Sequence, residues 1–418
     1  MGKIIIKNIS IGDELLIGQV INTNAAWLGE HLSDAGFQLD SSLTIGDSEK
    51  AILDAFNACM DADLVLVTGG LGPTADDITK PTVCKFFDTE LEFCQAAYDN
   101  VVSLFKRRGF QMSARNKGQA YLPKSCQYIP NTYGTAPCMW LEKEGVAFAF
   151  MPGVPYEMKG IFNDELLPRI KKRFNSVPYE KRVIMTTGIG ESFLADKIKD
   201  WEDNLPEFLS LAYLPQYGMV RLRLSGCHED AELLHATLDN EVEQLKRLIS
   251  EYIFSFEDQP IERAVFDLLI KKRKTFASAE SCTGGNIAHV ITLIPGSSEV
   301  FKGTAVTYAT PMKTKVLGVP AETIEQYGVV SQQVVEGMAK GVRELMEADF
   351  GVATTGVAGP SGGTEENPVG TVWIGVASAK GVVSQRFNFG KDRENVINRA
   401  TIMAYEMLRQ QLISPVGA

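Results

Sequence analysis

Residues 63–80, DLVLVTGGLGPTADDITK, join an apolar strand to a glycine-rich turn and then to the start of a helix. Around this stretch, apolar runs such as KIIIKNISIG alternate with amphipathic segments such as NAAWLGEHLSDAG and AILDAFNACMDA. Strands that alternate with helices predict a parallel sheet with crossover connections. We therefore expect residues 1–172 to form an α/β domain.

Two further regions follow along the chain. Residues 173–256 read as strand, helix, strand, helix, in the segments RVIMTTGIG, ESFLADKIKDWE, GMVRLRLSG and DAELLHATLDNEVEQLKRLISEYI, which predicts a small α+β module. Residues 257–418 contain several apolar strands interleaved with helical segments and predict a second α/β domain. Asp258 is expected to cap the first helix of that domain, with Pro260 in its first turn. The fold class is thus α/β and multidomain.

The composition is that of a globular chain. Its 418 residues are 45% hydrophobic and 22% charged, with a formal net charge of −11. No apolar run nears the ~20 residues that a membrane helix requires, and the first residues, MGKIIIKNISIGDELL, run into a strand rather than a signal peptide. No stretch is both basic and aromatic, so direct nucleic-acid binding is not expected. Seven cysteines without a CxxC pair suit a reducing cytoplasm.

The stretch SAESCTGGNIAHV, residues 278–290, holds two candidate nucleophiles, Ser281 and Cys282. If its glycines open a helix, the seven residues from Cys282 to His289 rise ~10 Å, beyond the ~3 Å reach of a general base. That spacing disfavours a Cys–His pair. A lysine is the remaining base for Ser281, because desolvation or a neighbouring cation can lower its pKa toward neutrality.

Candidate partners for Ser281 come from later strand ends. GTAVTYATPMKTKVLG, residues 303–318, supplies Tyr308, Lys313 and Lys315, although a surface lysine after a strand is the alternative reading. The glycine turns TTGVAGPSGG and FGKDREN offer backbone N–H groups to an oxyanion or phosphate, and Arg393 can pair a phosphate bidentately. Three such turns after strands of one sheet would line a common edge.

The N-terminal domain has its own polar strand ends. The glycine turn of residues 63–80 leads to Thr74, Asp76 and Asp77, and one of these aspartates could simply cap a helix. The segments SIGDELLIGQVINTN and MPGVPYEM add the following side chains: Asp13, Glu14, Asn22, Asn24 and Glu157. Carboxylates and amides that converge at the carboxyl edge of a parallel sheet fit a phosphate bound through a divalent metal.

Seven motifs, in order, resemble the CinA proteins, a family named for competence and damage inducibility. They are ISIGDELLIGQVINTN, TGGLGPTADDIT, MPGVPYEM, AESCTGG, VTYATPMK, TTGVAGP and NPVGTVW. The resemblance implies an N-terminal three-layer α/β/α domain similar to molybdopterin-binding domains, with a metal-dependent ADP-ribose pyrophosphatase. The resemblance also implies that a KH-like module follows the N-terminal domain. The C-terminal domain is similar to the amidohydrolase PncC, which deamidates nicotinamide mononucleotide to nicotinic acid mononucleotide and ammonia.

The resemblance also assigns residues. In the C-terminal domain, those implied to be catalytic are Ser281, Lys313, Tyr308 and Thr355. The residues expected to bind its substrate or oxyanion are Thr283, Gly284, Gly285, Gly356, Arg393 and Arg399. In the N-terminal domain, the implied substrate contacts are Gly69, Gly70, Thr74, Asn22 and Asn24. A divalent ion, Mg²⁺, Mn²⁺ or Co²⁺, is expected on Glu14, Asp76, Asp77 and Glu157, whereas the deamidase needs no cofactor.

The chain departs from the family pattern at two motifs. It reads GTAPC, with Cys138, where the family usually has GTAPG, and YATPMK where YSNEAK is more usual. The second change keeps Tyr308 and Lys313 in register.

Two other functions stay open. The N-terminal domain could bind a nucleotide or pterin and regulate its partner domain without turnover. The family's name alone suggests a recombination-linked scaffold, but a pI of about 5.1 counts against direct DNA contact. A cytoplasmic homodimer is the default assembly.

Overall fold

The computed structural model describes residues 4–72, 78–109, 111–112 and 114–413. They divide into two compact units, Met1–Glu180 with Cys227–His235, and Lys181–Gly226 with Ala236–Ala418. No helix within the described ranges is both long and apolar enough to cross a membrane.

The first unit contains an α/β domain. Its elements are β1 (Ile6–Ile11), α1 (Asp13–Leu16), α2 (Thr23–Asp34), β2 (Leu39–Ile45), α3 (Glu49–Ala58), β3 (Leu64–Thr68), α4 (Thr79–Phe86), β4 (Leu91–Phe93), α5 (Gln95–Arg108), α6 (Ala114–Gly118), β5 (Tyr121–Pro123), β6 (Gln127–Ile129), β7 (Cys138–Lys143), β8 (Val146–Met151), α7 (Pro155–Ile161), a π-helical turn (Phe162–Leu166) and α8 (Leu167–Arg173).

A six-stranded sheet in the order β2-β1-β3-β8-β7-β6 forms the centre of this domain. The first four strands are parallel, and β7 and β6 run antiparallel to them. Alternate strand residues join different cores. Val65 and Phe148 face helices α3 and α4, whereas Leu64 and Ala147 face α2, α7 and α8. The domain is therefore three layers, α/β/α, as the resemblance implies.

The second unit contains most of the small module and the whole described C-terminal domain. The elements of the module are β9 (Tyr179–Thr187), α9 (Glu191–Glu202), β10 (Leu209–Gln216), β11 (Met219–Cys227), α10 (Ala231–Ile249) and β12 (Ile253–Ser255). Those of the C-terminal domain are α11 (Ile261–Lys272), β13 (Phe276–Glu280), α12 (Asn286–Thr292), a 3₁₀ turn (Ser297–Glu299), β14 (Phe301–Val306), α13 (Thr310–Leu317), α14 (Ala321–Tyr327), α15 (Gln332–Leu345), β15 (Phe350–Gly356), β16 (Thr371–Ser378), β17 (Gly381–Asn388) and α16 (Arg393–Ile413).

The module has two more strands than the sequence patterns predicted. Its sheet has the order β10-β11-β9-β12, which makes β10 and β12 its edges. Strand β10, LSLAYLPQ, is mostly half-buried or exposed and contains a proline, as edge strands tolerate. Strand β12 has only three residues. Neither segment shows the apolar alternation that marks a longer half-buried strand.

The C-terminal domain has a five-stranded sheet in the order β14-β13-β15-β16-β17. Its first three strands are parallel and the last two antiparallel. Helices α11 and α16 cover one face, where Val265 and Tyr405 meet Phe276. Helix α15 covers the other, where Met338 meets Ala279.

The module shares its core with the C-terminal domain. Met185 and Phe254, on β9 and β12, are buried in the same cluster as Val265 and Phe266 of α11.

The prediction that Asp258 caps α11 is wrong. Pro260 occupies the cap position, and Asp258 Oδ2 accepts a hydrogen bond from Arg221 Nη1 at 2.6 Å.

Phe254→Ala should lower the free energy of unfolding by about 3 kcal/mol, because it leaves a cavity in this shared core. Phe256→Ala is the matched control, since Phe256 is 45% exposed, and it should cost about 1 kcal/mol or less. Urea unfolding of the two variants measures the difference. Equal losses would show that the module adds nothing to this core.

Candidate active site

The turns that carry the predicted C-terminal residues meet at one edge of the five-stranded sheet. Strands β13, β14 and β15 are parallel, so their carboxyl ends share that edge. Gly356 pairs with Val372 and Thr371 with Asn388, which adds the start of β16 and the end of β17. The expectation that the three glycine turns line a common edge is confirmed.

Ser281 and Lys313 contact each other at this edge. Lys313 is fully buried on α13, and its Nζ lies 3.1 Å from Ser281 Oγ. The same Nζ donates a hydrogen bond to the Thr307 carbonyl oxygen at 2.7 Å. Lys315 is exposed on the same helix. Of the two lysines in the motif, the fold thus brings Lys313 to the serine.

Burial decides the protonation of the groups around Ser281. Desolvation lowers the pKa of Lys313, which favours the neutral amine with a lone pair free to accept a proton. Desolvation also raises the pKa of the Cys282 thiol to about 12, so the thiolate is scarce at neutral pH. The geometry is that of a serine hydroxyl beside a lysine base.

The glycine turn after Ser281 is already occupied by an internal carboxylate. Gly284 and Gly285 have φ angles of 64° and 105°, a region that favours glycine. Glu280 Oε2 accepts hydrogen bonds from the Gly285 N–H at 2.9 Å and from Thr283 Oγ1 at 2.7 Å. The Gly284 N–H donates to the Ser281 carbonyl oxygen at 3.2 Å. Three predicted substrate contacts therefore hold the turn together from within.

A cavity of about 910 Å³ opens beside Ser281. The predicted residues that line it are Ser281, Tyr308, Lys313, Thr355, Gly356 and Arg393. Cys282 also lines the cavity, and within the described residues no backbone carbonyl oxygen accepts a hydrogen bond from its N–H. The Ser281 N–H is used by the Thr354 carbonyl oxygen at 3.1 Å. The N–H of Cys282 is therefore a candidate donor to an oxyanion beside Ser281.

Arg393 and Tyr308 are joined across the cavity wall. Arg393 Nη2 donates to the Tyr308 hydroxyl at 2.9 Å, and Nη1 donates to the Gly359 carbonyl oxygen at 2.7 Å. Thr355 is buried, and its hydroxyl donates to the Val329 carbonyl oxygen at 2.8 Å. Arg399 lies elsewhere. It lines a separate cleft with Gly190 and Phe389, so the fold does not bring it to Ser281.

Three strands of the N-terminal sheet that precede described predicted residues end at one edge. Strands β1, β3 and β8 are adjacent and parallel, so the segments after them meet. Gly69 and Gly70 follow β3 with φ angles of 108° and 63°. A Cβ on Gly69 would lie 2.1 Å from the Ile11 carbonyl oxygen, and one on Gly70 would lie 2.0 Å from Thr79 Oγ1. Only glycine fits this close approach.

The side chains of the two predicted asparagines form hydrogen bonds with different backbone groups. Asn22 caps α2, since its Oδ1 accepts from the Ala25 N–H at 3.1 Å. Asn24 Nδ2 donates to the Gly153 carbonyl oxygen at 2.7 Å, while its Oδ1 is buried without a partner among the described residues. Asn24 thus presents an unused acceptor.

The predicted metal ligands are only partly described. Glu157 is buried, accepts from Asn131 Nδ2 at 2.7 Å and lies against Gly134, where a Cβ would come within 1.9 Å of its Oε2. Glu14 is exposed after β1. Thr74, Asp76 and Asp77 lie outside the described residues. Within the described ranges, no three acidic, histidine or cysteine side chains form a metal-binding group.

Comparison with known proteins matches each domain. Residues 7–172 match the family described as "Probable molybdopterin binding domain", residues 181–255 the "Damage-inducible protein CinA KH domain", and residues 258–412 the "CinA C-terminal domain". A "CinA-like protein" of Flavobacterium psychrophilum is 44% identical over 411 residues, 97% of this chain and 98% of the relative. One of Cytophaga hutchinsonii is 42% identical over 405 residues, 97% of each.

The chain belongs to the CinA family. A solved structure of the competence/damage inducible protein CihA from Agrobacterium tumefaciens is 37% identical to this CinA-family chain. The match covers 36% of this chain and 93% of the CihA chain, with a TM-score of 0.36.

Sequence reasoning missed three residues of the CinA C-terminal site. Trp373 and Arg386 line the cavity from neighbouring strands, where they are paired in register. Each lies outside a glycine turn, so no local pattern marks it. Glu280 did carry a signal, because an acidic residue just before a glycine turn and a helix can accept the first N–H groups of that helix.

Lys313→Met should raise the free energy of unfolding by about 1–2 kcal/mol at neutral pH, because it removes a buried amine. The folded-state pKa of Lys313 lies below its unfolded value. Between the two values the unfolded chain binds more protons, so stability rises with pH, and the variant should lose that rise. Urea unfolding from neutral to alkaline pH tests this, with exposed Lys315→Met as control. Parallel curves for wild type and Lys313→Met would contradict it.

Proposed function

We propose that the C-terminal domain hydrolyses the carboxamide of nicotinamide mononucleotide to nicotinic acid mononucleotide and ammonia. The observation that carries the proposal is the 3.1 Å contact between Lys313 Nζ, fully buried, and Ser281 Oγ at the wall of the cavity. A desolvated lysine next to a serine is a nucleophile–base pair for acyl transfer. The family resemblance supplies the substrate.

In the first half-reaction, Ser281 Oγ attacks the carboxamide carbon and its proton passes to the neutral Lys313 amine. The Thr307 carbonyl oxygen holds that amine in place throughout. The backbone N–H of Cys282 stabilises the oxyanion, an interaction worth about 3 kcal/mol. The Lys313 ammonium then gives its proton to the leaving nitrogen. Ammonia departs and leaves an ester on Ser281.

In the second half-reaction, water attacks the ester carbon. Lys313, neutral again, accepts a proton from the water, and the same proton returns to Ser281 Oγ as the ester C–O bond breaks. The sum is one amide and one water converted to one carboxylic acid and one ammonia. No redox partner or cofactor enters the balance.

The cavity suits a mononucleotide. Its volume of about 910 Å³ lies within the usual range of small-molecule sites. Arg393 and Arg386 both line it and can pair the substrate phosphate, since a guanidinium matches phosphate geometry. Trp373 offers an aromatic face to the nicotinamide ring of the substrate.

For the N-terminal domain we propose a metal-dependent pyrophosphatase that acts on ADP-ribose. Carboxylate oxygens of Glu14, Glu157, Asp76 and Asp77 would hold the ion, a ligand type that hard divalent cations prefer. Such an ion offsets the charge that develops when a pyrophosphate bond breaks. The support is that Glu14 follows β1 and Glu157 follows β8, the two strands on either side of β3 and its glycines, Gly69 and Gly70. The unused acceptor of Asn24 suits a ligand donor.

A binding role without turnover is the second candidate for this domain. The observation that favours it is the hydrogen bond of Glu157 to Asn131, which already uses one carboxylate oxygen. Binding alone would not depend on the acidic cluster as turnover does.

Ser281→Ala and Lys313→Ala should each lower kcat for ammonia release from nicotinamide mononucleotide by about 1000-fold or more, with little further loss in the double variant. Cys282→Ser should cost far less, because the buried thiol is protonated. The wild-type kcat should rise with pH through the lowered pKa of Lys313.

Lys315→Ala is the control for Lys313→Ala, since Lys315 is exposed on the same helix. It should retain wild-type kcat. Activity in Ser281→Ala together with loss in Cys282→Ser would return the nucleophile role to the thiol.

Glu157→Gln and Asp77→Asn should each lower ADP-ribose hydrolysis by about 10- to 100-fold, because both weaken the metal site. Deamidation should be unchanged in both. Glu90→Gln is a control at a carboxyl that is 81% exposed. Full hydrolysis by both site variants in the presence of a chelator would leave the binding role as the better proposal.

A further inference from the structure

The carboxylate of Glu280 is fully buried directly beside the nucleophile in sequence. Both of its oxygens accept several hydrogen bonds. Oε2 accepts from Thr283 Oγ1 at 2.7 Å, the Gly285 N–H at 2.9 Å and the Ile287 N–H at 3.1 Å. Oε1 accepts from the Ala288 N–H at 3.0 Å, Ser278 Oγ at 3.2 Å and Thr304 Oγ1 at 3.4 Å.

This set of donors compensates the charge without a cation. Within the part of the chain that the structure describes, no lysine, arginine or histidine forms an ion pair with Glu280. Three of the donors are N–H groups of the glycine turn and the first turn of α12. A buried carboxylate that accepts this many hydrogen bonds fixes its donors as firmly as they stabilise it.

Backbone hydrogen bonds fix the chain on both sides of Ser281. The Ser281 N–H donates to the Thr354 carbonyl oxygen at 3.1 Å, and the Ser281 carbonyl oxygen accepts from the Gly284 N–H at 3.2 Å. Glu280 closes the far end of the turn through Gly285. The turn therefore has little freedom, and its placement sets the direction of Ser281 Oγ.

We propose that Glu280 is a positioning residue, which holds the glycine turn so that Ser281 Oγ meets Lys313 Nζ and the Cys282 N–H faces the reacting carbonyl. The inference rests on the proposed function. It also explains why the phosphate goes to Arg393. Glu280 takes the Gly285 N–H and two N–H groups at the start of α12, so these three donors are not available to a substrate anion.

The chemistry of the side chain makes the inference testable. In Glu280→Gln, one acceptor oxygen becomes an NH₂ group, which cannot accept a hydrogen bond. If the amide oxygen of the glutamine accepts from the Gly285 and Ile287 N–H groups, the NH₂ group faces the Ala288 N–H. If the amide is turned over, the NH₂ group faces the Gly285 and Ile287 N–H groups instead. Either way, the turn must shift to relieve a donor–donor contact.

The experiment compares wild type, Glu280→Gln and Glu406→Gln in the full chain. Glu406 is a matched control, because its carboxyl is also buried in this domain but pairs with Arg409 at 2.7 Å on α16. Two readouts are used. One is kcat and KM for ammonia release from nicotinamide mononucleotide. The other is the rate at which a fluorophosphonate labels Ser281, where Ser281 Oγ bonds to phosphorus and fluoride leaves, followed by mass spectrometry.

Glu280→Gln should lower kcat and the labelling rate by about 100-fold each, with KM within about threefold of wild type, since a misplaced nucleophile loses rate rather than binding. Glu406→Gln should lose thermal stability but label at the wild-type rate. Wild-type labelling in Glu280→Gln would overturn the inference and leave the Ser281–Lys313 hydrolase standing. So would a rise in KM with kcat unchanged.

If wild type itself neither labels at Ser281 nor releases ammonia, the proposed function fails, and this inference fails with it. If Glu280→Gln does not fold, Thr283→Val decides, because it keeps the carboxylate and removes one donor from Oε2. This variant should lower the labelling rate by about tenfold. An unchanged rate would overturn the inference.

Discussion

The buried amine of Lys313 is the constraint on which the C-terminal site depends. An ammonium group without water around it is unfavourable, so burial favours the neutral base. The close packing of α13 on α15 accompanies this burial. A Cβ on Gly341 of α15 would lie 2.0 Å from the Leu317 carbonyl oxygen, so a side chain there would push the two helices apart. The position of the base is therefore a property of helix packing as much as of the lysine.

The glycine turn and the cavity wall have separate sets of hydrogen-bond donors in the same domain. The internal carboxylate of Glu280 takes the N–H groups of the glycine turn, and the guanidinium groups of Arg386 and Arg393 line the cavity. The glycine turn is thus held by an internal anion, and the guanidinium groups of the cavity wall are a separate set of donors. Arg393 is itself held, through Tyr308 and the Gly359 carbonyl oxygen, in a fixed place on the cavity wall.

The N-terminal domain uses the same architectural rule with different side chains. Parallel strands bring their carboxyl ends to one edge, where Gly69 allows the backbone to pass within contact of Ile11. Acidic and amide groups follow those strands in place of a serine and a lysine. The edge that gathers polar groups follows from the parallel sheet, and the residues placed there decide which chemistry it supports.

Sequence alone determined the α/β class and located the glycine turns, because periodicity and turn residues are local properties. It also predicted Ser281 as the nucleophile and disfavoured a Cys–His pair, since helix rise is local too. The residues by themselves offered both Lys313 and Lys315, and the family resemblance favoured Lys313. Sequence reasoning missed the edge strand β10 and grouped Arg399 with Arg393. Only tertiary structure decided these points. Which lysine is buried depends on how α13 packs, and which arginine reaches the cavity depends on the direction in which α16 leaves the sheet. The role of Glu280 needed both, since its position before a glycine turn is local but its burial is not.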